Sequence, residues 1–344
     1  MIRVGIIGCG SITRFRHAPE YMANPHCEIA GFYNPSTGRA EEMSRMFGGK
    51  VYSSYMDMLL DKKIDAVSVC NANKYHAPVT IDALKAGKHV LCEKPMAASL
   101  DEARNMVEAS HKAGKYLMIA HNQRLEPAHV KAKEILKGGE LGRILSFRAA
   151  FGHGGPEFWS VNKGNNTWFF KKDAAFAGVI GDLGIHKADL LRWLIDDEIE
   201  EVSAFLATAD KRDENGLPVE VDDNAICLLR SKSGIIGTLS ASWTYYGEMD
   251  NSTVIYCEKG IMKIYNTPDH DITIVKSSGE QVHYRFEKNE IKEGYVNSGV
   301  IDLFVESIVN NVPPMISGEE GLSALKIILA CLESAKKGTV VKVI

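Results

Sequence analysis

The chain has 344 residues, 45% of them apolar and 24% charged, too long for one ordinary core and of globular composition, which predicts two domains. A net charge of −4 with no long run of one sign gives no footing for nucleic acid or an acidic membrane surface, and no stretch of about 18 apolar residues is present to span a bilayer. The seven cysteines (Cys9, Cys27, Cys70, Cys92, Cys227, Cys257, Cys331) form no C-x-x-C pair, which predicts free thiols in a reducing cytoplasm, with no disulfide framework and no zinc site.

The N-terminal "MIRVGIIGCGS" reads as a strand and not as a secretion signal. Compact apolar strands follow in "IRVGIIG" (2–8), "CEIAGFY" (27–33), "DAVSVC" (65–70), "HVLC" (89–92) and "YLMIA" (116–120). Helical stretches lie between them. "TGRAEEMSRMFGG" closes on Gly48–Gly49, "APVTIDALKAGK" contains the stop Gly87, and "SLDEARNMVEASHKAGK" runs from a Ser99 cap to Gly114. Strands that are apolar throughout and alternate with helices predict a parallel, doubly wound, Rossmann-type sheet over residues 1–121.

From 122 to 344 the rhythm changes. A helix (127–139) and a strand (143–152) precede a loop rich in aromatics, Phe158, Trp159, Trp168, Phe169 and Phe170. A helix over 184–195 follows, then several strands between about 199 and 286, then two closing helices. Turns such as "SKSGI" and "CEKGI" predict an antiparallel meander. The fold class is α/β: an N-terminal parallel sheet plus a C-terminal α+β domain with a large, mostly antiparallel sheet. The second domain is expected to bind substrate and to oligomerise.

Gly8, Gly10 and Thr13 fill the slots of G-x-G-x-x-G/A, after a strand and at the start of a helix, the context a dinucleotide loop requires. Gly8 makes the tight turn, Gly10 lets a pyrophosphate approach the backbone, and the helix start offers free N–H groups. Thr13, larger than the usual third residue, predicts a wider helix–strand contact. The second strand ends at Asn34, where an NAD-specific site usually carries an acid. Asn34 has no charge to repel a 2′-phosphate, and Ser36, Thr37 and Arg39 lie within reach of one. The sequence leaves NAD and NADP open.

Glu93 and Lys94 fall at the carboxyl end of the strand 89–92, the edge where doubly wound sheets bind ligands. Pro95 fixes φ, and a cis bond there would aim Lys94. The plainer reading is a strand-end salt bridge. In "AGVIGDLGIHKADLLRWL" (177–194), Asp182 and His186 are four apart, one helical turn. Gly178, Gly181 and Gly184 permit close backbone approach. A histidine accepts a proton near neutral pH, and a carboxylate orients it or binds hydroxyls. The plainer reading is a helix-start cap and a core histidine. No third ligand is spaced for a metal, since His76, His121 and His153 are scattered.

Together the glycine loop, "EKP" and "GDLGIH" resemble the Gfo/Idh/MocA family of NAD(P)-dependent oxidoreductases, as do "VSVCNANKYHAPVTIDALKAGKHVLCEKP" and "HNQRLEPAHVKAKEIL". The resemblance spans nearly the whole chain. It implies a catalytic Lys94 with the pair Asp182 and His186, and cofactor contacts at Gly8, Cys9, Gly10, Ser11, Ile12, Asn34, Asn71, Asn73, His76, Glu93, Lys94 and Gln123. Thr13 and Asn34 depart from the family pattern, and "AFAGVIGDLG" lacks its fuller glycine run. The implied reaction is reversible hydride transfer between nicotinamide C4 and a secondary alcohol carbon of a sugar, inositol or related polyol. His186 is the first candidate base, with a direct Lys94 base left open. Lys94 would stabilise alkoxide charge, Asp182 would bind a neighbouring hydroxyl, and Glu93 would place Lys94 or the ribose. Arg124, His153, Trp159, Trp168 and Lys171 are expected substrate contacts, His153 on a loop able to gate the pocket. Lys171, Lys172 and Arg124 leave an anionic substrate open. Apolar residues in "CLLRS", "IIGTLSASW" and "VIYCEKG" predict a face covered in a homodimer or homotetramer. Two other functions fit the fold. A non-catalytic dinucleotide-binding regulator would have lost the lysine or the histidine. A reductase of a non-sugar carbonyl, of dihydrodiol or biliverdin type, would keep the lysine.

Overall fold

The computed structural model describes every residue except 162, 288–290 and 292–294. The chain divides into two compact units: Met1–Asn122 with Lys288–Leu322, and Gln123–Glu287 with Ser323–Ile344. The contacts join a late segment of the chain to the first unit, so neither unit is one continuous stretch. Its ties are long-range. Asp302 accepts from Asn24 at 2.7 Å, Glu20 accepts from the backbone and hydroxyl of Ser298, and Ile316 O accepts from Ile119 N–H at 3.0 Å. No local pattern announces such pairings.

Among the described residues the first unit holds six parallel strands: β1 (Ile2–Ile7), β2 (Cys27–Tyr33), β3 (Lys50–Val51), β4 (Ala66–Val69), β5 (His89–Cys92) and β6 (Leu117–Ile119). Their spatial order is β3-β2-β1-β4-β5-β6. The order reverses at β1, where β2 lies on one side and β4 on the other. Ligands bind in the crevice outside the carboxyl ends of strands at such a point. Gly8, Asn34, Asn71 and Glu93 all follow directly or closely on strand ends at that edge. Strand β3 escaped the sequence because two residues carry no readable period.

Among the described residues the second unit carries nine strands: β7 (Ile144–Gly152), β8 (Ile199–Ala207), β9 (Asn224–Ser231), β10 (Ile236–Ser242), β11 (Thr253–Cys257), β12 (Gly260–Ile264), β13 (Ile272–Lys276), β14 (Gln281–Tyr284) and β15 (Val341–Lys342). The order is β14-β13-β12-β11-β7-β10-β9-β8-β15. The expected single meander is split. β7 inserts between β10 and β11 and runs parallel to β10, while the other neighbours are antiparallel. Side-chain alternation specifies which face a strand buries, not which neighbour it takes. The buried face, including Phe147, Leu229, Leu239, Ile255 and Met262, shares one apolar cluster with Leu190, Leu191 and Leu194 of the helix Ile185–Ile195. The opposite face leaves Phe205, Ile226, Leu228 and Ile236 exposed. Among the described residues no helix is long and apolar enough to cross a membrane.

Candidate active site

Gly8 has φ +102°, and a Cβ there would lie 2.6 Å from the Cys70 carbonyl and the Asn71 nitrogen. The loop after β1 and the exit of β4 therefore meet backbone to backbone, which only glycine allows. Above Gly10 the position a Cβ would take has nothing within 4 Å. That opening, beside a helix that starts at residue 11, fits a pyrophosphate held by Gly8, Cys9, Gly10, Ser11 and Ile12. The helix is widened to a π-type turn over Thr13–His17, and the buried Thr13 hydroxyl donates to Gly8 O at 2.6 Å. The larger third residue is thus accommodated by a wider turn and one added hydrogen bond.

Asn34 braces the loop. Its Oδ1 accepts from Cys9 N–H at 3.0 Å and its Nδ2 donates to Ser36 O at 3.1 Å. Ser36 stands exposed before the helix Thr37–Phe47, and its carbonyl accepts from Arg39 N–H. The Cys9 thiol is pushed up to about 12 by burial, with Cys70 and Glu42 adding and Arg39 opposing. It stays a neutral thiol beside the loop.

At the end of β5 the last rung is Glu93 N–H to Val69 O at 2.9 Å. The next peptide but one, Lys94–Pro95, is cis. Beyond that rung side chains hold the turn. Glu93 Oε2 accepts from Lys94 N–H at 3.1 Å, and Glu93 Oε1 lies 2.9 Å from His17 Nε2. His17 Nδ1 is 3.2 Å from Ser68 Oγ, which is 2.7 Å from Tyr21 Oη. His76 lies with Nδ1 2.7 Å from Pro95 O and Nε2 2.9 Å from Asn71 O. Both ring nitrogens of His76 face protein carbonyls, so it braces the turn from within. Burial holds its pKa below the ordinary value, against the hydrogen bonds to Pro95 and Asn71. Asn73 is buried in the short turn Asn73–Tyr75.

In the second unit a π-type turn, Ile180–Gly184, runs into the helix Ile185–Ile195. Helical structure thus begins before residue 184, and Asp182 and His186 lie one turn apart on a continuous helix, both buried. Gly178 is required by contact: a Cβ there would sit 1.9 Å from Asp222 O. The Asp222 carboxylate accepts from Gly178 N–H at 2.9 Å and Ile180 N–H at 2.8 Å, satisfying N–H groups that a helix start leaves open. Trp243 Nε1 donates to Asp182 Oδ2 at 3.2 Å.

His186 begins a run of ring contacts. Phe151 lies 5.7 Å from it, His153 6.2 Å from Phe151, and Trp159 6.3 Å from His153. Phe169 lies 5.0 Å from Trp159, and Trp168 stacks on it at 3.9 Å. The structure so joins His153, Trp159 and Trp168 to His186. Arg124 goes elsewhere. It is buried, and its Nε and Nη2 grip both oxygens of Asp189 at 2.7 and 2.6 Å. Two arms of its guanidinium thus hold a protein carboxylate. Gln123, expected at the cofactor, is buried in the second unit and donates to Asn251 Oδ1 at 3.0 Å. Lys171 is exposed and donates to Asn166.

Residues 2–121 match the description "Oxidoreductase family, NAD-binding Rossmann fold", and residues 129–263 match "GFO/IDH/MocA C-terminal domain". The chain belongs to the Gfo/Idh/MocA family. As a member it is an oxidoreductase with a Rossmann domain for a nicotinamide dinucleotide. It is similar to levoglucosan dehydrogenase of Pseudarthrobacter phenanthrenivorans, at 30% identity over 275 residues, 72% of this chain and 68% of the relative. It is similar to myo-inositol 2-dehydrogenase of Thermotoga maritima, at 26% identity over 347 residues, 99% of this chain and 98% of the relative. Among solved structures, levoglucosan dehydrogenase in complex with NADH and levoglucosan matches with TM-score 0.89 and 26% identity, covering 99% of both chains.

Within this Gfo/Idh/MocA chain, sequence reasoning missed His17, Lys187, Asp222 and Trp243. His17 carries no local signal. Lys187 could have been noticed as a lysine amid the apolar residues of its helix. It is fully buried, donating to Asn251 O at 2.9 Å and Thr253 Oγ1 at 3.1 Å. Burial pushes its ammonium down to about 7, against Glu126 and Asp250. Among the described residues no group of three His, Cys, Asp or Glu is arranged to hold a metal ion.

Proposed function

We propose that this oxidoreductase transfers a hydride between a nicotinamide dinucleotide and a secondary alcohol or ketone carbon of a sugar, inositol or related polyol. One observation carries the reading. The carboxyl edge of the parallel sheet combines a glycine loop open above Gly10 with Lys94 just past the last rung of β5. The names of the relatives, levoglucosan dehydrogenase and myo-inositol 2-dehydrogenase, support the substrate class.

When bound, the dinucleotide supplies the hydride acceptor for oxidation and the donor for reduction. Residues 8–12 hold its pyrophosphate, Asn34, Ser36 and Arg39 face the adenosine ribose, and Asn71, Asn73 and Glu93 serve the nicotinamide side. His186 takes the hydroxyl proton on a ring nitrogen. Lys94 donates to the reacting oxygen and stabilises its developing negative charge. Asp182, its carboxylate fixed by Trp243, accepts from a neighbouring hydroxyl. His153, Trp159 and Trp168 offer ring faces to the apolar side of a sugar. A purely regulatory role is disfavoured because Lys94, Asp182 and His186 are all present.

The exposed apolar residues Phe205, Ile226, Leu228 and Ile236 lie on one face of β8, β9 and β10, and we assign that face to a homodimer or homotetramer interface. A monodisperse monomer in light scattering would refute this part. The seven free cysteines suit a reducing cytoplasm. The decisive experiment titrates the purified protein with NADH and NADPH by tryptophan quenching, then screens polyols and sugars for turnover with the tighter cofactor. Binding of neither refutes the reading, and so does a Lys94→Ala enzyme with near wild-type turnover, since a loss of about 10²-fold or more is expected.

A further inference from the structure

The segment that carries His153 and Trp159 leaves β7 and runs in turns over residues 153–160. Gly155 N–H donates to His153 Nδ1 at 3.0 Å, and Ser160 N–H to Pro156 O at 2.9 Å. A lysine with no part in the reaction as assigned reaches into this loop across more than 50 residues. Lys211 is buried; its Nζ donates to Gly154 O at 2.5 Å and pairs with the Glu157 carboxylate. The ammonium also lies 4.7 Å from the centre of the Tyr246 ring and 5.5 Å from that of Phe158. The fit is close. Gly155 has φ +111°, and a Cβ there would come within 2.9 Å of Lys211 Nζ and 2.4 Å of Glu157 Oε2.

We propose that Lys211 is a positioning residue for substrate binding: it grips the Gly154 carbonyl and the Glu157 carboxylate from a neighbouring loop, and so sets the place of His153 and Trp159 on either side of that grip. This rests on the assignment of His153 and Trp159 to the sugar made above. A buried ion pair is a weak source of stability, because desolvation offsets the attraction. What this one supplies is a fixed distance between two loops.

A grip of this kind works only from a fixed base, and Lys211 has one. Beyond the end of β8, the fully buried Asp223 carboxylate accepts from three successive N–H groups, Ala209 at 2.7 Å, Asp210 at 2.7 Å and Lys211 at 2.8 Å. Burial opposes an ionised Asp223, but these backbone donors outweigh it and hold the carboxyl below its ordinary value. Val219 N–H donates to Lys211 O at 3.2 Å. Tyr246, whose ring faces the ammonium, is itself tied by its hydroxyl to the Asp210 carboxylate. The neighbour of Asp223 serves the other part of the site: Asp222 holds the turn of Asp182 by the N–H groups of Gly178 and Ile180. Two adjacent acids thus brace both halves of the substrate site. Asp222 fixes the turn that leads to Asp182 and His186, and Asp223 fixes, through Lys211, the loop of His153 and Trp159.

The test begins with the protein alone. Backbone hydrogen exchange, read by mass spectrometry, compares a peptide covering 153–160 with one covering 177–186. Lys211→Met keeps most of the side chain, removes the ammonium and leaves Glu157 buried without its cation. The double variant Lys211→Met/Glu157→Gln buries no unpaired charge, so it keeps the test intact if the single one is too unstable. In both variants exchange over 153–160 should quicken about tenfold or more, while 177–186 stays within about twofold of wild type, because the lost bond releases one loop and not the whole unit. With the polyol that the turnover screen returns, KM should rise about tenfold or more in both variants and kcat should stay within about threefold, since binding shared by ground and transition states appears in KM. NADH affinity should not change. Unaltered exchange over 153–160, or equal quickening in both peptides, overturns the proposal. So does a double variant whose KM returns to wild type, for the harm then came from a stranded Glu157 and not from the lost grip. Trp159→Ala separates the two failures: if its KM is that of wild type, or if the screen returns no polyol, the assignment of the sugar site falls, while the exchange profile still judges Lys211.

Discussion

The two glycines of the phosphate loop should fail in opposite ways. At Gly8 the backbone has φ +102° and a Cβ would lie 2.6 Å from three backbone atoms of Cys70 and Asn71. Backbone cannot swing aside as a side chain can. The left-handed strain alone costs about 1–3 kcal/mol, and the displaced contact adds to it. Gly8→Ala should therefore lose about 3 kcal/mol or more, lowering Tm by roughly 6–12 °C for a unit of this size. At Gly10 no atom lies within 4 Å of the Cβ position and φ is not in the left-handed region. Gly10→Ala should leave stability unchanged or raise it by about 0.4–1 kcal/mol, through the less flexible unfolded chain. The added methyl fills the space over the loop, however, and costs a hydrogen bond to a charged phosphate, about 1.5–3 kcal/mol. NADH affinity should then fall roughly 10- to 100-fold. Thermal unfolding and fluorescence titration of both variants check this. A stable Gly8→Ala protein, or a Gly10→Ala protein that binds NADH as tightly as wild type, would refute the account of the loop.

Trp243→Phe removes the N–H that Asp182 accepts at 3.2 Å and leaves part of the buried indole's space empty; the urea midpoint should drop by the equivalent of at least about 1.5–3 kcal/mol, and an unchanged midpoint would remove Trp243 from the site. His129 is held down to about 3 by burial, with the Lys187 charge adding and the Gln123 carbonyl opposing. Its folded pKa lies below the unfolded value near 6.5, so acid favours the unfolded chain and stability falls as pH drops through 6.5 toward 3. That group should cost about 1 kcal/mol between pH 6.5 and 5.5, a slope that His129→Gln should lack in urea titrations at the two pH values. Asn34→Asp keeps an acceptor for Cys9 N–H, loses the donor to Ser36 O and adds a negative charge. NADPH should lose at least about tenfold in affinity relative to NADH, and equal losses for both cofactors would count against Asn34 facing the ribose.

The legible parts of this protein are those written in short strings. The βα rhythm of residues 2–120 spells a parallel sheet, and "GCGSIT", "EKP" and "GDLGIH" each sit within a few residues of the element end that gives them meaning. What stayed hidden is long-range. His17 reaches Glu93 across 76 residues, Trp243 reaches Asp182 across 61, and Asp222 reaches Gly178 across 44. Each contact depends on where elements lie after folding, which no window of the sequence contains. The insertion of β7 between β10 and β11 is hidden for the same reason. Arg124 is hidden in a related way: its partner Asp189 lies 65 residues further on, and only the fold brings that carboxylate to its guanidinium.

Both constellations also share a physical device. Lys94 follows the last rung of β5, where the ladder no longer fixes the chain, and Asp182 lies in a widened turn, where the regular helical bond pattern is interrupted. Neither position is held by ordinary secondary structure. Buried polar groups take over: His17, Glu93 and His76 around the first, Asp222 and Trp243 around the second. Each brace is satisfied by its partner, so removing one strands the other in a low-dielectric interior, at a cost of about 1–3 kcal/mol for a neutral group and more for a charged one. Substitutions at these braces should therefore harm the protein more than loss of a single surface contact would, and the harm should grow with the charge left behind: His17→Gln, which strands an ionised Glu93, should destabilise the first unit more than the paired change His17→Gln/Glu93→Gln, although the latter alters twice as many residues.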